Sequence, residues 1–548
     1  MTFLIYLLNT VSQVDSLTAL GTAATLLSLY IFYITYFYPN YLSPLRHIPS
    51  PPTISKSNPY GLPFLGNTID LVKEGAEVVR ARWIDEFGGI VRYRELFGQE
   101  SILLSDPKAI HQVLTKNSYD YIRPPRLARF LEPITGKENV FLAEGDVHKK
   151  LRKIIAPAFS HRNIKDMLPS IVGPCARLGE IWEKRASNPG SKEVEFDIME
   201  DLSRATLDIL GFAGFGHDFQ SLTNSTSELG VSFENISVLD TPTRKVLRSL
   251  IPYYLNIPLK ENRAMVHNLK VMERATTHMV DEKIAQARSI KSKGDARRDL
   301  LSVLICANKN SDVAQDRRLS YQELQDQVRI FMVAGHETTA SAITWMLYAL
   351  SINQDAQRRL RNELLQTFGR PCHSSSRPLT YDEINSLPFL NACVKELLRC
   401  YPPVASSSRV ATKDDVILGF EIPKGTTVRL SLRAIQRLKS VWGEDAGIFK
   451  PERWLNPELV MKENPELAGR TTFVTPEMNE AYLPFLIGPR TCPGSKLALL
   501  ELKILLYYLL INLDYSPSPQ FKFVAKTVLA YRPDPGMRLT VKMCQRHQ

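Results

Sequence analysis

A ten-residue loop near the end of the chain constrains its fold more than any other feature. Residues 485–494 read Phe-Leu-Ile-Gly-Pro-Arg-Thr-Cys-Pro-Gly and hold a single cysteine, Cys492. Residues 496–510 follow, and their abundance of Leu, Ala, Glu and Lys predicts a helix. Cys492 is therefore expected in a tight loop just before a helix N-terminus, where free amide groups favour a thiolate.

The residues around this cysteine favour a flat ligand. Gly488 and Gly494 allow backbone angles closed to other residues and would let a planar group approach the main chain closely. The apolar Phe485 and the cationic Arg490 suit a large ring that carries carboxylates. The alternative is a buried structural cysteine near a turn, since free cysteines are commonly buried.

A second pattern lies in a long predicted helix. Residues 320–323 (Ser-Tyr-Gln-Glu) form a capping box, and the helical pattern continues to about Asn353. Midway, residues 334–339 read Ala-Gly-His-Glu-Thr-Thr. Ala334 and Gly335 are expected to remove bulk where a ligand would press on the helix. Packing of small residues between helices is the alternative.

Two charged helical segments add to these motifs. His148 and Arg152 are four residues apart in a Lys/Arg-rich stretch, and Glu396 and Arg399 are three apart, so each pair shares a helix face. Taken alone, the first stretch is a solvated basic face, and the second pair is a surface salt bridge of small energetic weight.

Together, these segments resemble the motifs of the cytochrome P-450 family, and they occur in the family's order. The resemblance implies a cytochrome P-450 fold, mainly α with small β-sheets. It also implies a haem b whose iron is bound by the thiolate of Cys492, a ligand that favours O–O cleavage. The loop residues implied in cofactor binding are Phe485, Gly488, Arg490 and Gly494.

The resemblance also implies roles for residues outside the loop. His148, Arg152 and Arg409 would bind the haem propionates, with His148 standing where the family more often has Trp. Glu337 and Thr338 would activate oxygen, because the hydroxyl orders a water and the carboxylate resupplies a proton.

Two further expectations concern the framework. By resemblance, Glu396, Arg399 and Arg453 would form a buried network that acts as a folding latch and not in catalysis. Residues 89–105 alternate in the manner of two strands, and residues 97–99 (Phe-Gly-Gln) are the predicted hairpin turn.

The N-terminal region has the pattern of a membrane anchor. Residues 16–45 carry no charge, and residues 17–38 form an apolar run that ends in Tyr and Phe, long enough for a bilayer core that needs about 20 residues. A cleaved signal peptide is the alternative. Prolines across residues 39–52 predict a stiff hinge. We therefore expect an anchor and start of the hinge at residues 1–45, and a catalytic domain at residues 46–548.

The expected location is the endoplasmic reticulum membrane. The chain resembles microsomal members of the family in having an apolar anchor followed by a proline-rich hinge. The positive-inside rule places the catalytic domain on the cytosolic side of a single-pass helix.

Composition and charge argue against nucleic acid and zinc as partners of this chain. The chain of 548 residues has a net charge of +11, but Lys and Arg are scattered and form no nucleic-acid motif. The seven cysteines are odd in number and lack the spacing of a zinc site, which fits a reducing compartment. The sequence contains no FMN, FAD or NADPH motif, so electrons are expected from NADPH through a separate reductase. The expected docking residues for the reductase are Lys149, Lys150, Lys153, Arg437, Lys439 and Lys496.

The expected activity is monooxygenation, in which one atom of O₂ enters an apolar small molecule and the other leaves as water. The candidate substrates are terpenoids, polyketides, sterols and fatty acids, and a resemblance to fungal secondary-metabolism members favours the first two. One alternative is a haem-thiolate isomerase or dehydratase, a class that tends to lack the acid–alcohol pair kept here at Glu337 and Thr338. The other is a haem-binding membrane protein without turnover.

Overall fold

The structure of the chain, a computed structural model, is described here for residues 16–55, 58–59, 61–187, 193–224, 227–239, 241, 244, 247–248, 251, 253–289, 299–309, 318–370, 378–455, 474–527 and 530–544. The first 15 residues of the predicted anchor lie outside these ranges. The described chain is mainly helical with small sheets, which confirms the predicted fold class. It divides into two compact units, one of Met1–Ile110 with Ser408–Ser431 and one of His111–Ser407 with Leu432–Gln548. The functional division at residue 45 stays a prediction.

The elements are numbered in chain order. The described α-helices are α1 (Ser16–Phe32), α2 (Thr68–Asp70), α3 (Ala76–Phe87), α4 (Pro107–His111), α5 (Pro125–Thr135), α6 (Gly145–Ile155), α7 (His161–Asp166), α8 (Leu168–Ala186), α9 (Ile198–Leu210), α10 (Glu228–Leu239), α11 (Lys260–Ser289), α12 (Leu300–Lys309), α13 (Tyr321–Ile352), α14 (Gln354–Phe368), α15 (Tyr381–Ser386), α16 (Pro388–Cys400), α17 (Leu432–Ile435), α18 (Lys439–Trp442), α19 (Pro476–Ala481) and α20 (Ser495–Leu510). The strands are β1 (Ile90–Arg94), β2 (Glu100–Leu104), β3 (Tyr121–Ile122), β4 (Val194–Asp197), β5 (Ser407–Ala411), β6 (Asp415–Ile417), β7 (Phe420–Ile422), β8 (Thr427–Leu430), β9 (Leu513–Pro517), β10 (Val524–Thr527), β11 (Tyr531–Asp534) and β12 (Arg538–Met543).

The predicted anchor is helical. α1 continues into a π-helical segment, Tyr33–Leu42, and the stretch Leu20–Leu42 is long and apolar enough to cross a membrane, with a mean hydropathy of 1.5. Pro39, the first proline of the predicted hinge, lies inside this helix and is buried. The wider π-helical turn tolerates the missing N–H of proline.

The second half of this helix packs on the small sheet of the first unit. Gly98, in the turn between β1 and β2, comes so close that a Cβ there would lie 2.5 Å from the Ile34 carbonyl oxygen. Arg92 on β1 donates from Nη1 to the Pro39 carbonyl at 3.0 Å, and the Arg94 guanidinium donates to Asn40 Oδ1 at 2.6 Å. The segment is thus built into the first unit.

The strands of the first unit follow the predicted pattern. β1 and β2 pair antiparallel, and the turn between them contains Phe97 (φ 58°) and Gly98 (φ 72°), which confirms the hairpin expected over residues 89–105. β2 pairs in parallel with β8, and β6 pairs antiparallel with β7. β2 is buried on both faces along residues 101–104, in keeping with its apolar run Ile-Leu-Leu, whereas β8 alternates polar and apolar residues.

The second unit is organised around α13. Ser320 and Glu323 form the predicted capping box, and α13 runs from Tyr321 to Ile352, in agreement with the expected end near Asn353. Most of its residues are buried, because other helices cover it on several sides. β4, β12 and β9 form a three-stranded antiparallel sheet, and β10 with β11 forms a separate hairpin near the C-terminus.

Candidate active site

The cysteine loop folds back on itself directly before α20. The Cys492 N–H donates to the Phe485 carbonyl at 2.9 Å. Thr491 Oγ1 lies 3.2 Å from the same carbonyl and 3.1 Å from the Leu486 carbonyl. Gly494 precedes the first residue of α20, as the sequence predicted. These bonds fix the backbone that leads into Cys492.

The two glycines of the loop serve different purposes. Gly488 has φ 72°, and a Cβ there would lie 2.3 Å from the Leu114 carbonyl oxygen, so this position requires glycine. Gly494 has an ordinary φ of −82°, so this glycine does not use the backbone angles that only glycine readily adopts. A Cβ at Gly494 would lie 3.8 Å from the Phe159 ring and 4.0 Å from Cys492 Sγ, so it would make ordinary van der Waals contacts beside the sulfur.

The surroundings of Cys492 act on its pKa in opposite directions. Burial raises the pKa of the thiol, while a hydrogen bond from the Gly494 backbone and the charge of Arg152 lower it. In the protein alone the burial effect prevails, in contrast to the expected thiolate. A thiolate here therefore needs a cationic partner such as a metal ion.

Arg490 is buried and already has an anionic partner in the chain. Its guanidinium pairs with the Glu144 carboxylate and donates to the Ala143 carbonyl at 3.1 Å. Its Nε is buried and has no hydrogen-bond partner in the described chain. Glu144, which also accepts from the Arg123 N–H at 2.9 Å, is a site residue that the sequence reasoning missed. Its position at the start of the basic α6 was the available signal.

His148 and Arg152 lie on one face of α6, as predicted. The buried His148 has Nδ1 3.1 Å from the Tyr119 hydroxyl, another contact that the sequence did not reveal. The partly buried Arg152 makes no hydrogen bond within the described chain, and its charge acts on Cys492. Arg409, the third predicted propionate partner, lies on β5 in the first unit, where its Nη1 donates to the Ser408 carbonyl at 2.7 Å.

These residues fit a haem held by a thiolate. The sulfur stands in a loop whose backbone is set by its own hydrogen bonds. Arg152 retains hydrogen-bond donors for a carboxylate. The buried Nε of Arg490 is a donor that has no acceptor in the described chain. In the described chain, no group of three or more His, Cys, Asp or Glu residues offers an alternative metal site.

The Ala-Gly-His-Glu-Thr-Thr motif at residues 334–339 is α-helical throughout and lies within α13. Thr338 Oγ1 donates to the Ala334 carbonyl at 2.6 Å, one turn earlier in the helix. Ala334 is exposed although α13 is largely buried, which leaves open space beside it. Gly335 instead faces α9, where a Cβ would lie 3.2 Å from the Leu210 side chain. The expectation that Gly335 makes room for a ligand is therefore wrong, because its small size serves helix packing.

Glu337 and Thr338 have different partners. Glu337 Oε1 accepts from the Ala530 N–H at 3.3 Å and lies 3.9 Å from Arg532 Nη1. Both partners belong to the C-terminal hairpin region, and sequence reasoning had not linked them to Glu337. The preceding His336 is buried, with Nε2 2.8 Å from Ser203 Oγ, and burial lowers its pKa to about 4.

The three predicted latch residues come together in a fully buried cluster. Arg399 donates to both oxygens of Glu396, at 2.8 and 2.7 Å, and also to three backbone carbonyls. Arg453 Nε lies 3.5 Å from Glu396 and its Nη2 donates to Asp445 at 2.9 Å. The Trp454 indole completes the cluster by donating to Glu396 at 2.8 Å. Such dense pairing offsets the cost of burying these charges.

The predicted basic docking residues differ in their availability. Lys149, Lys150 and Lys439 pair with acidic residues at 2.8, 3.2 and 2.7 Å. The Arg437 guanidinium donates to two backbone carbonyls, and burial lowers its pKa. Lys153 and Lys496 are exposed and have no ion-pair partner among the described residues. These last two are the charges best placed for a partner.

Comparison with known proteins agrees with this geometry. Residues 57–539 match the family model described as Cytochrome P450. Cytochrome P450 monooxygenase 128 of Postia placenta is 31% identical over 522 residues, which cover 90% of each chain. Cytochrome P450 monooxygenase 205 of the same fungus is 31% identical and covers 96% of each chain. Cytochrome P450 monooxygenase FUM15 of Gibberella moniliformis is 32% identical over 87% of this chain and 84% of its own. The protein is an oxidoreductase, and its chain belongs to the cytochrome P450 family.

Proposed function

We propose that this protein is a haem-thiolate monooxygenase that inserts one atom of O₂ into an apolar small molecule. Cys492 would bind the haem iron, with Phe485, Gly488, Arg490 and Gly494 around it. The observation that carries the proposal is the loop itself, in which Cys492 is held by backbone hydrogen bonds directly before α20. When bound, a thiolate-ligated haem supplies oxygen binding and O–O cleavage.

The residues of α6 and β5 would orient the cofactor. Arg152 has unused hydrogen-bond donors that suit a propionate, and His148 lies one turn before it on the same face of α6. Arg409 is the third proposed partner. Arg490 would share its guanidinium between Glu144 and the cofactor.

Two residues of α13, Thr338 and Glu337, would deliver protons to the O₂ substrate. The Thr338 hydroxyl, which donates to the Ala334 carbonyl, keeps its lone pairs free to accept from a water beside the open space at Ala334. Glu337 is a buried carboxylate that can pass protons inward through water. Glu396, Arg399 and Arg453 are proposed to hold the fold and to take no part in the chemistry.

The proposed setting is a membrane with a reductase beside it. The apolar Leu20–Leu42 helix supports a single-pass anchor, and we place the catalytic part on the cytosolic face of the endoplasmic reticulum. Members of the family generally receive electrons from a redox partner, here proposed to be an NADPH-dependent reductase. The proposed substrates are terpenoids or polyketides first, with sterols and fatty acids as the other candidates.

The test is the spectrum of the CO-bound ferrous haem in the full-length protein. Cys492→Ser is expected to abolish the thiolate-type spectrum, because an alcohol is a poor, high-pKa ligand. Cys306→Ser, at an exposed cysteine on α12, is the matched control and should leave it unchanged. Retention of the spectrum in Cys492→Ser would refute the ligand assignment.

A second measurement separates the monooxygenase from the other haem-thiolate classes. Wild-type protein with NADPH, a reductase and an apolar substrate should consume O₂ and form hydroxylated product. Turnover of a peroxide without O₂ or reductase would instead identify an isomerase or dehydratase.

A further inference from the structure

We propose that Arg532 is a positioning residue for Glu337. It would hold the Glu337 carboxylate against the β10–β11 hairpin. The hairpin would thereby control the orientation from which Glu337 delivers protons towards Thr338. The inference rests on the proposed function, because it assigns a role in proton delivery. Its structural part can be tested in the resting protein.

The first support is the contact between the two charges. Arg532 Nη1 lies 3.9 Å from Glu337 Oε1, and the same oxygen accepts from the Ala530 N–H at 3.3 Å. The side chains are only 19% and 11% exposed, so solvent screens the pair less than it screens a surface ion pair. The backbone bond and the guanidinium together direct the carboxylate towards the hairpin.

The second support is the rigidity of the hairpin at this point. The Tyr531 carbonyl accepts from both Ser341 Oγ, at 2.6 Å, and the Trp345 indole, at 2.8 Å. The Tyr531 and Trp345 rings stack with their centroids 5.5 Å apart. On the other side, the Tyr531 N–H donates to the Pro403 carbonyl at 2.7 Å. The backbone that carries Arg532 is therefore fixed relative to α13.

The third support is the spacing of the contacting residues along α13. Glu337, Ser341 and Trp345 are four residues apart, so they form one stripe on the helix, and all three bond to residues 530–531. The Thr338 hydroxyl instead turns back to the Ala334 carbonyl. Glu337 consequently faces the hairpin, and a proton can pass from it to the Thr338 side only through water or by rotation of the carboxylate.

The neighbouring histidine is not a competing cation. His336 is buried, its Nε2 is bonded to Ser203, and its pKa is lowered to about 4. It is neutral near pH 7, so the positive charge that faces Glu337 here is the Arg532 guanidinium. Removal of that charge should loosen the carboxylate, and its conservative replacement should not.

The experiment compares Arg532→Gln, Arg532→Lys, Glu337→Gln and the double variant Arg532→Gln/Glu337→Gln in the full-length protein. In Arg532→Gln, the fraction of NADPH electrons recovered in product is expected to fall about threefold to tenfold, with hydrogen peroxide taking their place. Arg532→Lys should restore most of the coupling. The double variant should behave like Glu337→Gln alone, because Arg532 would act through Glu337.

Hydrogen exchange of the resting protein gives a readout that does not depend on turnover. The peptide that contains Ala530 should exchange several-fold faster in Arg532→Gln than in wild type and near the wild-type rate in Arg532→Lys. Unchanged exchange and unchanged coupling in Arg532→Gln would overturn the proposal, as would additive effects in the double variant. Loss of the substrate-induced spectral shift in Arg532→Gln alone would overturn it too, because Arg532 would then contact the substrate. Failure of the proposed function would appear separately, as a missing thiolate spectrum in the wild type.

Discussion

Gly488 is a position where two separate constraints, a positive φ and a close neighbouring carbonyl, both exclude a larger residue. It combines φ 72° with a neighbour, the Leu114 carbonyl, that a Cβ would approach to 2.3 Å. Gly369 has a similar φ of 70° but open space around the position of a Cβ. The two positions therefore allow backbone strain and steric overlap to be separated.

We predict that Gly488→Ala lowers stability more than Gly369→Ala. The control should show only the strain of a left-handed alanine, about 1 kcal/mol, while Gly488→Ala should lose at least about 2 kcal/mol more and retain less haem. Thermal unfolding and the haem-to-protein ratio measure both effects. Equal losses in the two variants would mean that the loop yields to the added methyl group.

At the scale of elements, α20 carries a buried acid that binds it to α13. Glu501 bonds to Thr339, and burial raises the pKa of the Glu501 carboxyl to about 8. The folded protein thus keeps a proton that the unfolded chain loses above about pH 4.5. Stability linked to Glu501 therefore falls as the pH rises from about 4.5 to 8, and it levels off above that range.

We predict that Glu501→Gln flattens this pH dependence. The neutral amide keeps the shape and cannot ionise, so the variant should be more stable than wild type at pH 8, by on the order of a few kcal/mol. Unfolding midpoints measured from pH 5 to pH 8 give the slope. Glu261→Gln, at an exposed position on α11, should leave the slope unchanged. If Glu501→Gln kept the wild-type dependence of stability on pH, a group other than Glu501 would be its cause.

The anchor helix also divides into two parts at this scale. The side chains of α1 are exposed, as shown by Leu20, which is 70% exposed. In the following π-helical segment, Thr35 is only 3% exposed and lies next to Gly98. Removal of residues 1–32 should release protein from the membrane fraction and leave the haem spectrum intact. Removal of residues 1–42 should in addition lower the unfolding temperature, because Gly98 loses its contact with Ile34 and Arg92 loses the Pro39 carbonyl. Equal stability of the two truncated proteins would show that the segment is a free tether.

At the scale of the whole molecule, the net charge of +11 favours association with an acidic partner. Lys153 on α6 and Lys496 on α20 are the exposed members of the predicted docking set that have no ion-pair partner in the described chain. Of the other members, Lys149, Lys150 and Lys439 form ion pairs with nearby carboxylates. Arg437 donates to backbone carbonyls.

We predict that Lys153→Glu/Lys496→Glu slows reduction by the reductase about tenfold at low salt and weakens its salt dependence, because steering by opposite charges is lost. Lys270→Glu, applied to an exposed lysine on α11, serves as the control with one reversed charge. Stopped-flow reduction at several ionic strengths measures the rates. Identical kinetics in the double variant and the wild type would exclude these two lysines from the docking surface.

The sequence by itself determined the features that depend on local chemistry. The cysteine loop, the capping box of α13, the β1–β2 hairpin and the apolar N-terminal helix are each specified by a short run of residues, so each could be predicted. Motif spacing was also sufficient to identify the family, because it reports on chemistry shared by all members. The individual helix pairs at residues 148–152 and 396–399 are common in any sequence, and only their order made them informative.

Only the tertiary structure decided which groups meet across the chain. Arg490 and Glu144 are 346 residues apart, and Glu337 and Arg532 are 195 apart, so no local pattern could pair them. Gly335 was expected to face a ligand and instead faces Leu210, because the direction of a helix face depends on the helix packed against it. The balance that raises the pKa of Cys492 is likewise set by burial, which arises when distant elements close around the loop.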